Sequence, residues 1–393
     1  MAKIAIMGFG TVGAGVAEVL RLNGAKMAEE LGEELSLKYI LDVRDFSGSP
    51  YADKMIKDFS IIENDDEVEV VVESIGGKGV ALDFTRRALQ AGKHVVTSNK
   101  ELVATHCKEL LAIAKARNVN YLFEASVGGG IPVLRSLFQE LATNQIEEIV
   151  GILNGTTNYI LTRMEKAGVS CAEAVKEAQE KGYAEKDPTA DVEGIDACRK
   201  ICILSDLAFG KEVAPEHIST EGISNIQHQD VGIAAAAGYQ IKLLGHALRL
   251  PDGKQAAYVA PHLVPESCPL APVSDVFNAI IIRGNAVGDV MFYGRGAGDL
   301  PTASAVLSDV MDAVRHRERR RNLGWSQSAD LVAADDLVMR WYLRGDFTLE
   351  AAKAACGEVE QLAEGAVITA PITGAAAKKA AEALGAAAML RVL

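Results

Sequence analysis

KIAIMGFGTVG, residues 3–13, decides the fold. Residues 3–7 read as a short buried strand, and Gly8, Gly10 and Gly13 follow it before a helical pattern begins. Each glycine has its own reason. Gly8 permits a tight turn, Gly10 lets backbone approach a phosphate, and Gly13 lets helix and strand pack closely. Phe9, Thr11 and Val12 complete a turn that would deliver a pyrophosphate to a helix N-terminus. Working outward, a strand at 37–41 ends at Asp42-Val43-Arg44-Asp45. An acid there favours the ribose 2′-hydroxyl of NAD, whereas an arginine favours the 2′-phosphate of NADP. Asp42 and Arg44 pull in opposite directions, so both coenzymes stay open. Residues 68–75 form a buried strand running into Ser74-Ile75-Gly76-Gly77. A helix at 84–91 stops at Gly92, and a strand at 94–97 leads into Ser98-Asn99-Lys100-Glu101. Alternating strands and helices imply a parallel sheet with ligands at the carboxyl ends of its strands, where Ser74 and Lys100 fall.

The chain has 393 residues, enough for two or three domains with full cores, and its 49% hydrophobic and 24% charged content is that of a globular protein. A net charge of −13 argues against nucleic-acid binding, which needs a basic face. The one basic run, residues 315–321, reads as a solvated helix end or linker. Six cysteines without a CxxC pair suggest neither a disulfide framework nor a zinc site, and Cys198 and Cys202 read as core. No signal-peptide pattern and no apolar run of membrane-spanning length is found, so a cytoplasmic protein with no membrane partner is expected.

Three later segments carry chemistry. In FEASVGGGIP, residues 123–132, three glycines free the backbone to turn its carbonyls inward, which suits a hard cation. In GILNGTTNYIL, residues 151–161, residues 154–158 cap a helix beginning near Tyr159, and such a helix start favours an anion, for instance a carboxylate. GYAEKDPTADVEGIDACRK, residues 182–200, holds Glu185, Asp187, Asp191, Glu193 and Asp196 and closes on Lys200. Asp187-Pro188 reads as a turn, Asp191 as the N-cap of a helix over 192–209, and Asp196 and Lys200 as neighbours one helical turn apart. A lysine held by carboxylates can exchange a proton with a substrate oxygen while acids hold a substrate ammonium.

Together these segments, spanning residues 3–312, resemble the homoserine dehydrogenases. The resemblance implies interconversion of L-homoserine and L-aspartate 4-semialdehyde with NAD or NADP, in threonine, methionine and isoleucine biosynthesis. It assigns Lys200 to proton transfer and places Lys100 at the nicotinamide and substrate. Gly155, Thr156, Tyr183, Glu185, Asp191 and Asp196 would contact substrate. Gly8, Phe9, Gly10, Thr11, Val12, Gly13, Arg44, Ser74 and Gly298 would contact coenzyme, the last from the glycine run at 294–298. Glu124, Val127, Gly129 and Ile131 would bind sodium. A lysine has a reference pKa of about 10.4 and must lose its proton for alcohol oxidation, so that direction should speed up as pH rises.

The expected architecture is α/β. A Rossmann-type dinucleotide domain covers 1–125, with 299–320 returning to it. An α+β substrate and dimerisation domain covers 126–298. A short ACT-like, ferredoxin-like module covers 330–393, from its β-α-β-β-α-β order. That module has Gly345-Asp346-Phe347-Thr348 where ACT modules commonly carry a Pro-Gly turn, which suggests a structural or oligomer-contact role. The family implies a homodimer or homotetramer, and a monofunctional chain is expected because the glycine turn begins at residue 8. Two rivals are a non-catalytic NAD-binding regulator, which could dispense with Lys200 and the acids, and a dehydrogenase of another amino acid.

Overall fold

The computed structural model describes residues 1–393 apart from 319, 320, 322, 324 and 326, and the side chain of 327. Two compact units emerge, the first of residues 1–142, 206–212 and 294–327, the second of 143–205, 213–293 and 328–393.

The first unit is built on strands β1 (Ala2–Met7), β2 (Leu35–Leu41), β3 (Met55–Ile56), β4 (Val68–Glu73), β5 (His94–Thr97) and β6 (Tyr121–Leu122). They form one parallel sheet in the order β3-β2-β1-β4-β5-β6, with β1 paired to both β2 and β4. The chain order reverses beside β1, and this is where open α/β sheets take ligands. Near-continuous burial of β1 and β4 is that of strands covered on both faces. Val70, Val72 and Val96 pack with Val16 of the helix Thr11–Leu31 and with Ala303, Val306 and Val310 of the helix Asp299–Arg315. At ~2 kcal/mol for each fully buried aliphatic side chain, this layer is a main source of the unit's stability. Residues 299–315 thus return to the first helix although residues 143–205 and 213–293 of the second unit intervene. Of the basic run, Arg315 pairs with Glu30, Arg317 with Glu33 and Glu69, and Arg321 with Asp312. Arg319 and Arg320 lie outside the described residues.

The second unit is organised by a mixed sheet. Its strands are β7 (Ile146–Ile152), β8 (Tyr239–Arg249), β9 (Gln255–Pro265), β10 (Phe277–Gly284), β11 (Gly288–Arg295), β12 (Val338–Arg344), β13 (Val359–Ala363), β14 (Ala366–Thr369) and β15 (Ala388–Val392). Their order is β11-β10-β7-β8-β9-β15-β12-β14-β13. Helices Leu349–Cys356 and Gly374–Leu384 complete the C-terminal β-α-β-β-α-β order. Its last strand pairs with β9 through His262 and Arg391, so the module extends the same sheet. The sequence reading passed over β8. Lys242 and His246 interrupt its apolar pattern, yet both are buried, because β8 is covered on both faces.

Candidate active site

The glycine turn of the first unit leaves a cradle shaped by main chain. Gly8 has φ +93°, and a Cβ there would lie 2.8 Å from the Ser74 carbonyl carbon. A Cβ on Gly13 would lie 2.0 Å from the Gly8 oxygen. Gly10 differs, since the nearest atom to its added Cβ is an Arg44 guanidinium nitrogen at 3.9 Å. Gly10 is also the N-cap of Thr11–Leu31 and supplies no capping side chain. A pocket a methyl group would fill, above uncapped helix N–H groups, suits a dinucleotide pyrophosphate. Phe9 turns inward, with its ring edge-on to Phe46 at 5.2 Å between centroids, and Thr11 is exposed.

Asp42 and Arg44, read as competitors, are partners. Asp42 accepts from the Phe9 N–H at 2.7 Å, the Arg44 N–H at 2.9 Å, and the Arg44 guanidinium at 2.7 and 3.0 Å. The guanidinium holds its carboxyl well below the usual range. Asp42 is buried while Arg44 is largely exposed over the Phe46 ring, so the side chain presented outward is the arginine. At the neighbouring strand ends, Ser74 Oγ donates to the Met7 and Gly8 carbonyls. Lys100 is the first residue of the helix Lys100–Arg117, which Asn99 caps by accepting from Leu102 N at 3.1 Å. Gly298, φ +126°, caps Asp299–Arg315, and Asp299 lies against the first helix at Gly15.

The glycine loop after β6 bends the reading of Glu124. Its carboxylate does not face the loop but accepts from Leu134 N at 2.9 Å and Arg135 N at 2.6 Å, the start of the helix Val133–Phe138. Burial raises this carboxyl, and Asp309, which accepts from Glu124 N at 2.8 Å, adds to the effect. With its carboxylate engaged at this helix start, Glu124 also has a main-chain oxygen to offer a cation in the loop. Gly128 and Gly129, with φ +73° and +55°, permit the carbonyl reorientation such a site needs. A Cβ on Gly129 would lie 2.6 Å from Gly296 main-chain atoms. Main-chain carbonyls are suitable ligands for a hard monovalent ion, so the loop is compatible with one. Among the described residues no group of three His, Cys, Asp or Glu side chains is gathered for a metal.

The substrate segments meet in the second unit. Lys200 lies on the helix Ile195–Phe209 and is buried. Its Nζ donates to Asp196 Oδ2 and to the Leu153 carbonyl, both at 2.7 Å. Leu153 ends the run out of β7, and Gly245 on β8 makes room for it, since a Cβ there would stand 2.5 Å from Leu153 Cδ1. The sequence reading missed the residue joining these parts, Asn154. Its amide oxygen accepts from Thr157 N at 2.8 Å, capping the helix Gly155–Ala167. Its amide nitrogen donates to Asp191 Oδ1 at 2.7 Å and to Asp196 Oδ2 at 2.8 Å. Asp-x-x-x-Lys spacing on one helix was the visible signal. An asparagine at a helix start reads as a cap, and its second role depends on a segment almost 40 residues away.

Three local expectations are corrected. The helix after Asn154 begins at Gly155, not near Tyr159, because Asn154 itself is the cap. Asp191 is not an N-cap. It lies inside the short helix Thr189–Val192, and Gly194, φ +78°, breaks the chain before Ile195. Pro188 starts that separate turn, where Asp187 accepts from Thr189 N at 3.1 Å. The helix read over 192–209 therefore starts at Ile195, which is exposed. Gly155 faces the Val276 oxygen, 2.7 Å from an added Cβ. Thr156 Oγ1 donates to the Tyr183 carbonyl at 2.7 Å, and the Tyr183 ring, exposed, lies edge-on to Tyr159. Glu185 is exposed. Lys200, Asp196, Asp191, Gly155, Thr156 and Tyr183 thus gather around residues 153–156. Lys100 and the glycine turn belong to the first unit.

Comparison with known proteins bears on both units. Residues 8–124 match the family model "Homoserine dehydrogenase, NAD binding domain", and residues 132–311 match the model "Homoserine dehydrogenase". A homoserine dehydrogenase of Neisseria gonorrhoeae is 40% identical over 87% of this chain and 81% of its own length. One from Corynebacterium glutamicum is 44% identical over 87% of this chain and 79% of its own. The crystal structure of a homoserine dehydrogenase from Thiobacillus denitrificans superposes with TM-score 0.91 at 35% identity, covering 100% of this chain and 98% of that one. A hyperthermophilic archaeal homoserine dehydrogenase in complex with NADPH superposes with TM-score 0.67 at 29% identity, over 79% of this chain and 97% of that one.

Proposed function

The chain belongs to the homoserine dehydrogenases, NAD(P)-dependent oxidoreductases acting on a CH–OH group, and we propose that it interconverts L-homoserine and L-aspartate 4-semialdehyde with the residues described above. The observation that carries the residue assignment is the buried Lys200, held at 2.7 Å by both Asp196 and the Leu153 carbonyl. The bound nicotinamide supplies or accepts the hydride. Lys200 gives a proton to the aldehyde oxygen in reduction and takes the hydroxyl proton in oxidation. Asp196 orients its ammonium, and Asn154 links Asp196 and Asp191 by donating to both. Asp191, with exposed Tyr183 and Glu185, receives the substrate ammonium. The start of the Gly155 helix, with Thr156, receives the carboxylate. Lys100 orients substrate beside the coenzyme.

The residues of the glycine turn, with Ser74 and Gly298, hold the dinucleotide. Arg44 pairs with a 2′-phosphate, so NADP is used as well as NAD. Sodium is held by main-chain oxygens of Glu124, Val127, Gly129 and Ile131 and orders the loop. The C-terminal ACT-like module serves oligomer contacts in a homodimer or homotetramer, and the enzyme works in the cytoplasm. No helix among the described residues is long and apolar enough to cross a membrane.

Oxidation of L-homoserine, followed at 340 nm with NAD and NADP in parallel, tests the reading. Activity should rise from neutral to alkaline pH and fall ~1000-fold in Lys200→Ala, within the range of proton-transfer catalysis. Folded, coenzyme-binding wild type without activity would sink the proposal.

A further inference from the structure

β1, β4 and β5 end in register, with Met7 beside Glu73 and Glu73 beside Thr97. Glu73 is fully buried, an unusual place for a carboxylate. Its Oε1 accepts from Ile75 N at 2.8 Å and Gly76 N at 3.2 Å, and its Oε2 accepts from Thr97 Oγ1 at 2.6 Å. Thr97 Oγ1 in turn accepts from Asn99 N at 2.9 Å, which directs its own hydrogen at Glu73. Asn99 Nδ2 donates to the Gly77 carbonyl at 2.7 Å. Glu73 therefore meets three donors, an environment suited to an ionised, acceptor-only carboxylate. Burial raises the carboxyl, and these bonds pull against that rise.

The strand order locates this charge relative to the coenzyme. The pyrophosphate belongs at the turn after β1, and the adenosine ribose at the end of β2, beside Arg44. The nicotinamide half then falls on the other side of the switch, over the ends of β4 and β5. Resting on the coenzyme site read above, we propose that Glu73 is a positioning and electrostatic residue. It binds the 74–77 loop to the start of the Lys100 helix, and its fixed negative charge favours the cationic oxidised nicotinamide over the neutral reduced one. Tighter binding of the oxidised form lowers the potential of the bound couple. The bound reduced coenzyme then becomes a stronger hydride donor toward the aldehyde.

The test measures dissociation constants of NAD⁺, NADH and ADP-ribose, which lacks the nicotinamide, for the full chain and Glu73→Gln. Glutamine can keep its oxygen on Ile75 and Gly76 while losing the charge. NAD⁺ should weaken about tenfold, the weight of one charge interaction inside a protein, with NADH and ADP-ribose within twofold. That ratio corresponds to about 30 mV in a two-electron couple. Equal weakening of all three ligands, or an unchanged NAD⁺ to NADH ratio, overturns the electrostatic role. Failure of the wild type to bind any of them overturns the coenzyme reading itself. Glu73→Asp keeps the charge on a shorter arm and covers the case in which the glutamine variant does not fold. Its ratio should match the wild type even if both affinities fall, and a shifted ratio there also refutes the proposal.

Discussion

The two units build their sites from different materials. In the first unit the coenzyme cradle is an arrangement of missing side chains. Gly8, Gly10 and Gly13 matter because a Cβ at two of them would collide with backbone, and at the third would occupy the space left for a ligand. In the second unit the site is an arrangement of charges, with Lys200, Asp196 and Asp191 tied together by one asparagine amide. A cradle of glycines tolerates little change in shape. A buried ionic cluster tolerates small shifts but not the loss of a partner, which strands a charge away from water.

Single substitutions can break this contrast. Gly13→Ala puts a methyl group into the Gly8 carbonyl, so coenzyme affinity should fall ~100-fold, a cost of about 3 kcal/mol. Near-normal affinity by fluorescence titration would mean that the turn yields more than its geometry implies. Asn154→Ala removes the cap and both carboxylate contacts at once. We expect kcat/KM for homoserine to drop ~30-fold with coenzyme affinity unchanged, and ~1 kcal/mol of the loss in stability to come from the cap alone. If coenzyme binding fell equally, the separation of the two halves would be refuted. Arg44→Ala sharpens the comparison from the cradle side. NADP should weaken ~10-fold, because a charge-assisted pair is lost, while NAD stays within twofold.

A further contrast concerns pH and distinguishes the units by stability. His94, at the start of β5, has its pKa lowered to about 4 by burial, and its Nδ1 accepts from Asn120 N at 2.9 Å, which needs a neutral ring. The unfolded chain binds the extra proton below about 6.5, so the first unit should lose up to ~3 kcal/mol as pH falls from 6.5 to 4. Lys242, on β8, has its pKa lowered to about 8 by burial. Its folded form gives up a proton the unfolded chain keeps, so the second unit should gain stability as pH rises from 8 toward 10.5. Trp325 lies in the first unit and Trp341 in the second, so denaturation followed in single-tryptophan variants reads each unit separately. Coincident pH profiles for the two reporters would contradict these assignments.

How much was legible in advance differs between the halves for the same reason. A glycine turn is a local device, so strand, turn and helix could be read from residues 3–13 and the parallel sheet from the alternation that follows. The C-terminal strand and helix order was readable for the same reason. β8 was not, because Lys242 and His246 break the period that marks a strand, and only a sheet covered on both faces can bury them. Glu124 illustrates a residue whose carboxylate has a structural task the sequence did not show. Its position beside three glycines suggested a cation ligand, yet its carboxylate caps the helix Val133–Phe138.

By itself the sequence determined the chemistry available: a dinucleotide turn, a lysine one helical turn from an aspartate, and an acidic loop ending in a proline turn. These follow from backbone sterics and helical periodicity, which act over a few residues. Only the tertiary structure decided which groups meet. It paired Asp42 with Arg44, brought Asn154 between Asp191 and Asp196, and set Glu73 beneath the loops that end β4 and β5. The physical reason is that buried polar atoms must find partners, and which partners they find depends on how distant strands and helices pack.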